Sequence, residues 1–231
     1  ESGFQHGLLY AEIDSLYGYV DTTGNYIWSA IREKPGVRLA PLNTVFMQRG
    51  YLYAYPAGYE WRTGPNSSTA EPIPTTMALP ADTFGIRVYP DQADTFQGRW
   101  NGIRTVVYNT GADTLHADGQ DSRLYILMQA LNSESGDWRD IEYLPDSWCG
   151  NSYHSIPLAP NEYWNLIIPV YEGDIQTQLR LAFTWRSQWQ EDGTKLQKTV
   201  YSNTFVGSIN PGQFWNKTGY QPQSLMDPYA D

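Results

Sequence analysis

Apolar positions recur at every second residue in short runs along this chain, and the runs are bounded by Gly, Pro, Asn and Asp. That period marks half-buried strands, and the three-to-four-residue spacing of an amphipathic helix is nearly absent. In QTQLRLAFTW (176–185), Leu179, Leu181, Phe183 and Trp185 share one face, while Gln178, Arg180 and Thr184 share the other with Arg186. One face is therefore buried and the other wet. Six further runs follow the same pattern: FGIRVYP (84–90), GIRTVVYN (102–109), SRLYILMQAL (122–131), DWRDIEYLP (137–145), YWNLIIPVY (163–171) and LQKTVYSNTF (196–205). Seven runs with turn clusters between them predict an all-β chain, an antiparallel β-sandwich of immunoglobulin-like or jelly-roll-like type.

Ahead of these runs, YGYV (17–20) and NYIW (25–28) flank Asp21-Thr22-Thr23-Gly24, which predicts a β-hairpin. NTVFMQ (43–48) and YLYAYP (51–56) bracket Arg49-Gly50 and predict a second one. From Arg62 to Asp82 the chain is rich in proline and small polar residues, which is the chemistry of a linker or long loop. The expected organisation is an N-terminal β-hairpin region (1–61), a Pro-rich linker or long loop (62–82), the β-sandwich (83–215) and an extended tail (216–231).

Charge narrows the partners. With 25 acidic against 15 basic residues, the net charge of −10 repels a phosphate backbone, so nucleic acid is not expected. No run of 18 apolar residues occurs, so no transmembrane segment is expected. The first residues, ESGFQHGLLY, lack the basic start and apolar core of a signal peptide, and the chain reads as soluble and already processed. Abundant Tyr, Trp, Asn, Thr and Gly with few Lys suit a secreted or cell-surface location.

The single cysteine excludes an internal disulfide and a Cys-rich metal site. It lies in SWCGNSYH (147–154), where Cys149 and His154 point to opposite faces of an extended strand and meet only if Gly150-Asn151 makes a turn. A nucleophile–base pair also needs an orienting group, and none is visible. The expectation is a small apolar thiol packed in the core beside Trp148 and Tyr153. TGADTLHADGQD (110–121) reads as one loop carrying Asp113, His116, Asp118 and Asp121. Oxygen-rich loops of this kind can hold calcium, with Asp113, Asp118 and Asp121 as ligands, although the EF-hand spacing is lacking and turn chemistry alone explains such residues.

Asp137, Asp140 and Glu142 lie along one run, and Asp140 and Glu142 share a strand face about 7 Å apart. Paired carboxylates are the signature of a glycosidase, and a solvated strand face gives the same pattern. No Ser-His-Asp order, P-loop or GxGxxG appears. The strongest functional signal is aromatic: Tyr59, Trp61, Trp100, Trp189 and Trp215 sit in Gly-, Arg-, Asn- or Gln-rich contexts such as AGYEWRTG, QGRWNG and RSQWQEDG. Exposed flat rings stack on sugars or anchor protein partners.

A longer pattern covers about residues 102–214: Trp138, Ile141 and Glu142, then Cys149 to His154, Tyr163-Trp164, Tyr171, Gly173, Thr177, Leu179, Arg180, Ser202, Asn203, Phe205, Gly207 to Asn210, Gln213 and Phe214. It resembles uncharacterised exported or cell-surface β-sandwich proteins of the Bacteroidota. The resemblance implies an exported β-sandwich and supplies no catalytic residues. The expected function is a non-catalytic exported or cell-surface protein that binds a glycan or an envelope protein through its loop aromatics. The alternatives are a carbohydrate-active hydrolase using paired carboxylates and a structural subunit of an outer-membrane complex.

Overall fold

The computed structural model describes residues 8–13, 16–23, 25–31, 39–50, 52–59, 66–144, 147, 149–189 and 195–215. These residues form an all-β structure of several sheets with no α-helix among them. No helix of the described residues is long and apolar enough to cross a membrane. The chain divides into two compact units, residues 1–39 and 40–231.

In the first unit, β1 (Leu8–Ile13), β2 (Leu16–Asp21) and β3 (Tyr26–Ile31) make an antiparallel meander with Tyr19 opposite Trp28. Its β2–β3 turn is fastened by Asp21, whose Oδ1 accepts from Thr23 N at 2.8 Å, Thr23 Oγ1 at 2.6 Å and Asn25 N at 3.1 Å. This is the Asx-type closure that a short Asp side chain makes with backbone just ahead of it.

The second unit contains, in chain order, β4 (Leu42–Asn43), β5 (Gln48–Arg49), β6 (Tyr53–Tyr55), β7 (Ser67–Thr69), β8 (Glu71–Pro72), β9 (Phe84–Phe96), β10 (Trp100–Asn109), β11 (Leu115–Gln120), β12 (Arg123–Leu124), β13 (Ile126–Leu131), β14 (Trp138–Asp140), β15 (Glu142–Tyr143), β16 (Tyr153–Leu158), β17 (Glu162–Pro169), β18 (Tyr171–Glu172), β19 (Ile175–Trp189), β20 (Lys195–Tyr201) and β21 (Phe205–Ile209). Three larger sheets run β8-β17-β10-β9, β16-β11-β12-β6-β7 and β14-β13-β19-β20, with β21 joined to β19. Their inner faces share one core: Ile86, Val107 and Trp164 from the first, Ala117, Leu124 and Ile156 from the second, Met128, Leu181 and Phe183 from the third. The alternation read in 176–185 places Leu179, Leu181 and Phe183 inside, and Trp185 packs against the core with its Nε1 donating to the His116 carbonyl at 2.6 Å.

Two expectations are corrected. Residues 43–56 do not pair as a hairpin, because β4 pairs with β18 and β5 with β15, both in parallel, while β6 pairs with β7 and β12. Gly50 does not serve a turn there: its N–H donates to the Tyr143 carbonyl at 2.8 Å, and a Cβ on it would press on Leu127 at 3.3 Å. Residues 110–121 are not one loop, since Leu115–Gln120 is a strand opposite Leu158–Tyr153 with Leu115, Ala117 and Gly119 turned inward. The proline-rich segment, read as a linker or long loop, belongs to the larger unit as far as it is described and has no strand over residues 73–83. There β7 and β8 pair with β6 and β17, and Ile73, Met77 and Leu79, together with Tyr89, pack on Val106, Tyr108 and Tyr163.

This strap explains why EYWNLIIP (162–169) reads as a nearly continuous apolar run. Trp164 enters the main core and Tyr163 the satellite cluster beneath the strap, so the sheet is covered on both faces. Beyond the strap, β9 loses register with β10: Arg104 opposes Tyr89 while Ile103 opposes Ala93, which leaves Pro90, Asp91 and Gln92 outside the ladder. Such a bulge re-aims the side chains around it. On the other edge of β9, the side chain of Asn203 accepts from Val88 N at 2.9 Å and donates to Val88 O at 3.1 Å.

Candidate functional site

Of the five sequence-predicted aromatics, the three whose side chains are described stand in separate settings. Tyr59 is exposed but lies stacked on the buried Tyr55, 4.9 Å between centroids and 1° between planes. Trp100 opens β10 half-buried, with the Arg99 guanidinium 5.2 Å from its ring. Trp215 is 68% exposed beside the short 3-10 turn Pro211–Phe214. No ring contact joins these three. Trp61 lies outside the described residues, as does the side chain of Trp189 at the end of β19.

The proposed calcium ligands are kept apart by β11. Asp113 precedes it, Asp118 stands mid-strand opposite Ser155, and Asp121 follows it, 3.8 Å from Arg123. Among the described residues no group of three or more His, Cys, Asp or Glu side chains could hold a metal ion.

Cys149 is exposed rather than packed in the core. The physical reason is local: Gly150–Ser152 forms a 3-10 turn that lifts the chain off the sheet, and Cys149 is its N-cap, held through its N–H to Ser147 Oγ at 3.2 Å. The turn does not bring the thiol to the imidazole, since no hydrogen bond joins them and His154 Nε2 instead meets Ser122 Oγ at 3.2 Å.

Asp140 and Glu142 are likewise separated. Asp140 is exposed and accepts from Gln129 Nε2 at 2.9 Å. Glu142 is buried, and both of its oxygens are occupied: Tyr171 Oη donates to Oε1 at 2.7 Å and Met128 N to Oε2 at 3.0 Å. The chain kinks between β14 and β15 at the fully buried Ile141, so strict two-residue alternation fails there. Burial pushes the Glu142 carboxyl above its ordinary range, against the pull of its two hydrogen bonds, and holds the Tyr171 hydroxyl well above its own.

Other residues of the 102–214 pattern are also fasteners. Asn210 Nδ2 donates to Thr44 O at 2.8 Å, Asn43 Oδ1 at 3.0 Å and Glu172 O at 3.3 Å, while Gln213 Oε1 accepts from Asn210 N at 2.9 Å. A Cβ on Gly173 would overlap the backbone of Ile209 and Asn210.

Two exposed constellations stand out that the sequence reading missed. On the outer face of the third sheet, the Arg180 guanidinium lies 4.2 Å from the Trp138 ring centroid and 3.9 Å from that of Tyr201, and Arg180 Nε donates to Gln129 at 2.9 Å. Val206, 72% exposed, stands on the same sheet. On the outer face of the first sheet, the strap residues 74–78 and strands β9 and β10 bound an open groove of about 400 Å³ that includes Arg87, Tyr89, Gln92 and Arg104. Arg87 and Arg104 lie 5.5 and 5.8 Å from the Tyr89 ring centroid. Arg104 is fixed by Nε donating to Asn165 Oδ1 at 2.8 Å and Nη1 to Gln92 Oε1 at 3.0 Å, the second contact being made possible by the bulge at 90–92. The available signal was parity: Arg87 and Tyr89 are two apart on one strand face.

Comparison with known proteins adds no relative: no family model, curated protein or solved structure matches the chain.

Proposed function

We propose that the chain is the binding part of an exported or cell-surface protein of the Bacteroidota kind it resembles, a non-catalytic β-sandwich of immunoglobulin-like or jelly-roll-like type that takes a glycan. The observation that carries this reading is the strap groove. Its volume of about 400 Å³ lies in the range of about 300–1,000 Å³ usual for small-molecule sites. It combines an aromatic ring with an amide and the guanidinium of Arg104, which two hydrogen bonds hold in place, and donors and acceptors of that kind read sugar hydroxyls. The working residues move accordingly from the loop aromatics to Tyr89, Gln92 and Arg104.

A glycan array followed by calorimetry tests this. A hit should weaken by at least tenfold in Tyr89→Ala, measured on protein shown to be folded by circular dichroism, and should be recovered chemically intact. Binding that ignores Tyr89 and Gln92 removes the groove from the reading, and a cleaved hit makes the protein a hydrolase. An envelope protein is the second reading, favoured by the outward Val206, Tyr201 and Arg180. If it holds, Val206→Glu abolishes assembly with that partner while Tyr89→Ala leaves it intact.

A further inference from the structure

We infer that the glycan taken by the strap groove is anionic, its carboxylates or sulfate esters held by the guanidinium groups of Arg87 and Arg104; this rests on the glycan reading above. Two guanidinium groups within 6 Å of one ring centroid, on neighbouring strands, repel each other. The usual relief is a carboxylate, and acidic residues outnumber basic ones 25 to 15 in this chain. Yet among the described residues neither arginine makes an ion pair. Glu71, on β8 two strands from β10, reaches Arg104 only through the Tyr163 hydroxyl, from which it accepts at 3.2 Å.

The donors left over suit an oxyanion. Arg104 spends Nε and one Nη1 proton on Asn165 and Gln92 and also interacts with the Tyr163 hydroxyl, contacts that orient the remainder of its fork. Arg87 is exposed, and its side chain makes no hydrogen bond among the described residues. Planar forks of this kind match the paired oxygens of a carboxylate or a sulfate ester, and a fixed fork loses less freedom on binding than a free one. The groove is much larger than an inorganic ion requires, which points to an anion carried on a larger body. Met77 and the Tyr89 ring supply the apolar contact such a body needs.

The test uses the whole chain and two defined probes, an oligogalacturonate hexamer and a chondroitin sulfate hexasaccharide. Each is titrated calorimetrically beside its methyl ester, and the second also beside its desulfated form. At least one parent should bind, and neutralising its anionic groups should weaken it by about tenfold or more, the scale of a lost charge-assisted contact. Loss on esterification assigns the carboxylate, and loss on desulfation assigns the sulfate. Arg87→Gln and Arg104→Gln should each weaken the parent by about tenfold and narrow its advantage over the neutral form. Arg104→Lys should recover part of that loss. Because the Arg87 side chain makes no hydrogen bond among the described residues, Arg87→Gln keeps the fold, which an unchanged melting temperature verifies.

Equal binding of parent and neutralised forms, or no binding of either parent, overturns the inference. A neutral glycan that still depends on Tyr89 would then leave the broader glycan reading standing. Insensitivity of a bound parent to both arginine substitutions also overturns it.

Discussion

Tyr171→Phe isolates one hydrogen bond in a buried polar pair and tests how Glu142 is held. The variant keeps the ring and removes only the hydroxyl that donates to Glu142 Oε1 at 2.7 Å, leaving Met128 N as the partner of the other oxygen. A buried hydrogen bond to a charged group is worth about 1.5–3 kcal/mol, and a neutral one about 1 kcal/mol. The deficit should therefore depend on the charge of Glu142. Burial raises its folded-state value, so the folded protein holds the proton more readily than the unfolded chain. Its contribution to stability is complete below the ordinary carboxylate range and is lost as pH rises through the raised folded value. Removing the hydroxyl takes away an interaction that lowers that value, so the loss extends to higher pH in the variant. Urea unfolding of both proteins from pH 4 to 8 should give a deficit near 1 kcal/mol while Glu142 is protonated, growing towards about 1.5–3 kcal/mol as the carboxyl ionises with rising pH. A deficit that is flat across this range, or smaller at pH 7 than at pH 4, refutes an ionisable Glu142 held by Tyr171.

Three further outcomes follow from burial and close contact. Cys149 should react with a thiol reagent at nearly the same rate in native and unfolded protein, because it is exposed; strong native protection contradicts its placement. Gly173→Ala should destabilise by about 1–3 kcal/mol or prevent folding, since the new methyl meets backbone that cannot rotate away, and an unchanged melting temperature would refute that contact. Trp215→Ala should leave the melting temperature within about a degree while Trp164→Ala costs about 3–5 kcal/mol, as expected for side chains 68% and 0% exposed; similar losses from both contradict the core assignment.

The strand runs were legible wherever one face is buried and the other wet, as in 176–185, because local alternation records that asymmetry. Leu115–Gln120 escaped notice although its burial alternates, since His116, Asp118 and Gly119 are also turn residues and composition outweighed period. The packing of the strap was illegible for a similar reason: its prolines are conspicuous, while Ile73, Met77 and Leu79 are too widely spaced to register as a face. Parallel pairings such as β4 with β18 join residues far apart in sequence and leave no local trace. The groove was hidden in the same way. Arg87 and Arg104 are brought together by the register of β9 on β10, and Gln92 reaches Arg104 through a slip in that register.

That slip has a second effect. β9 is the terminal strand of its sheet, and a terminal strand offers unpaired N–H and C=O groups to any other chain that can lie alongside. Here Asn203 occupies the outward groups of Val88 with its own amide, a side chain standing in for a neighbouring strand at one point. Immediately beyond, Pro90 has no N–H to give and the extruded residues 90–92 break the straight row. The two devices interrupt the row of outward backbone groups from Val88 to Gln92, so this stretch of the margin gives a second strand no continuous ladder to join.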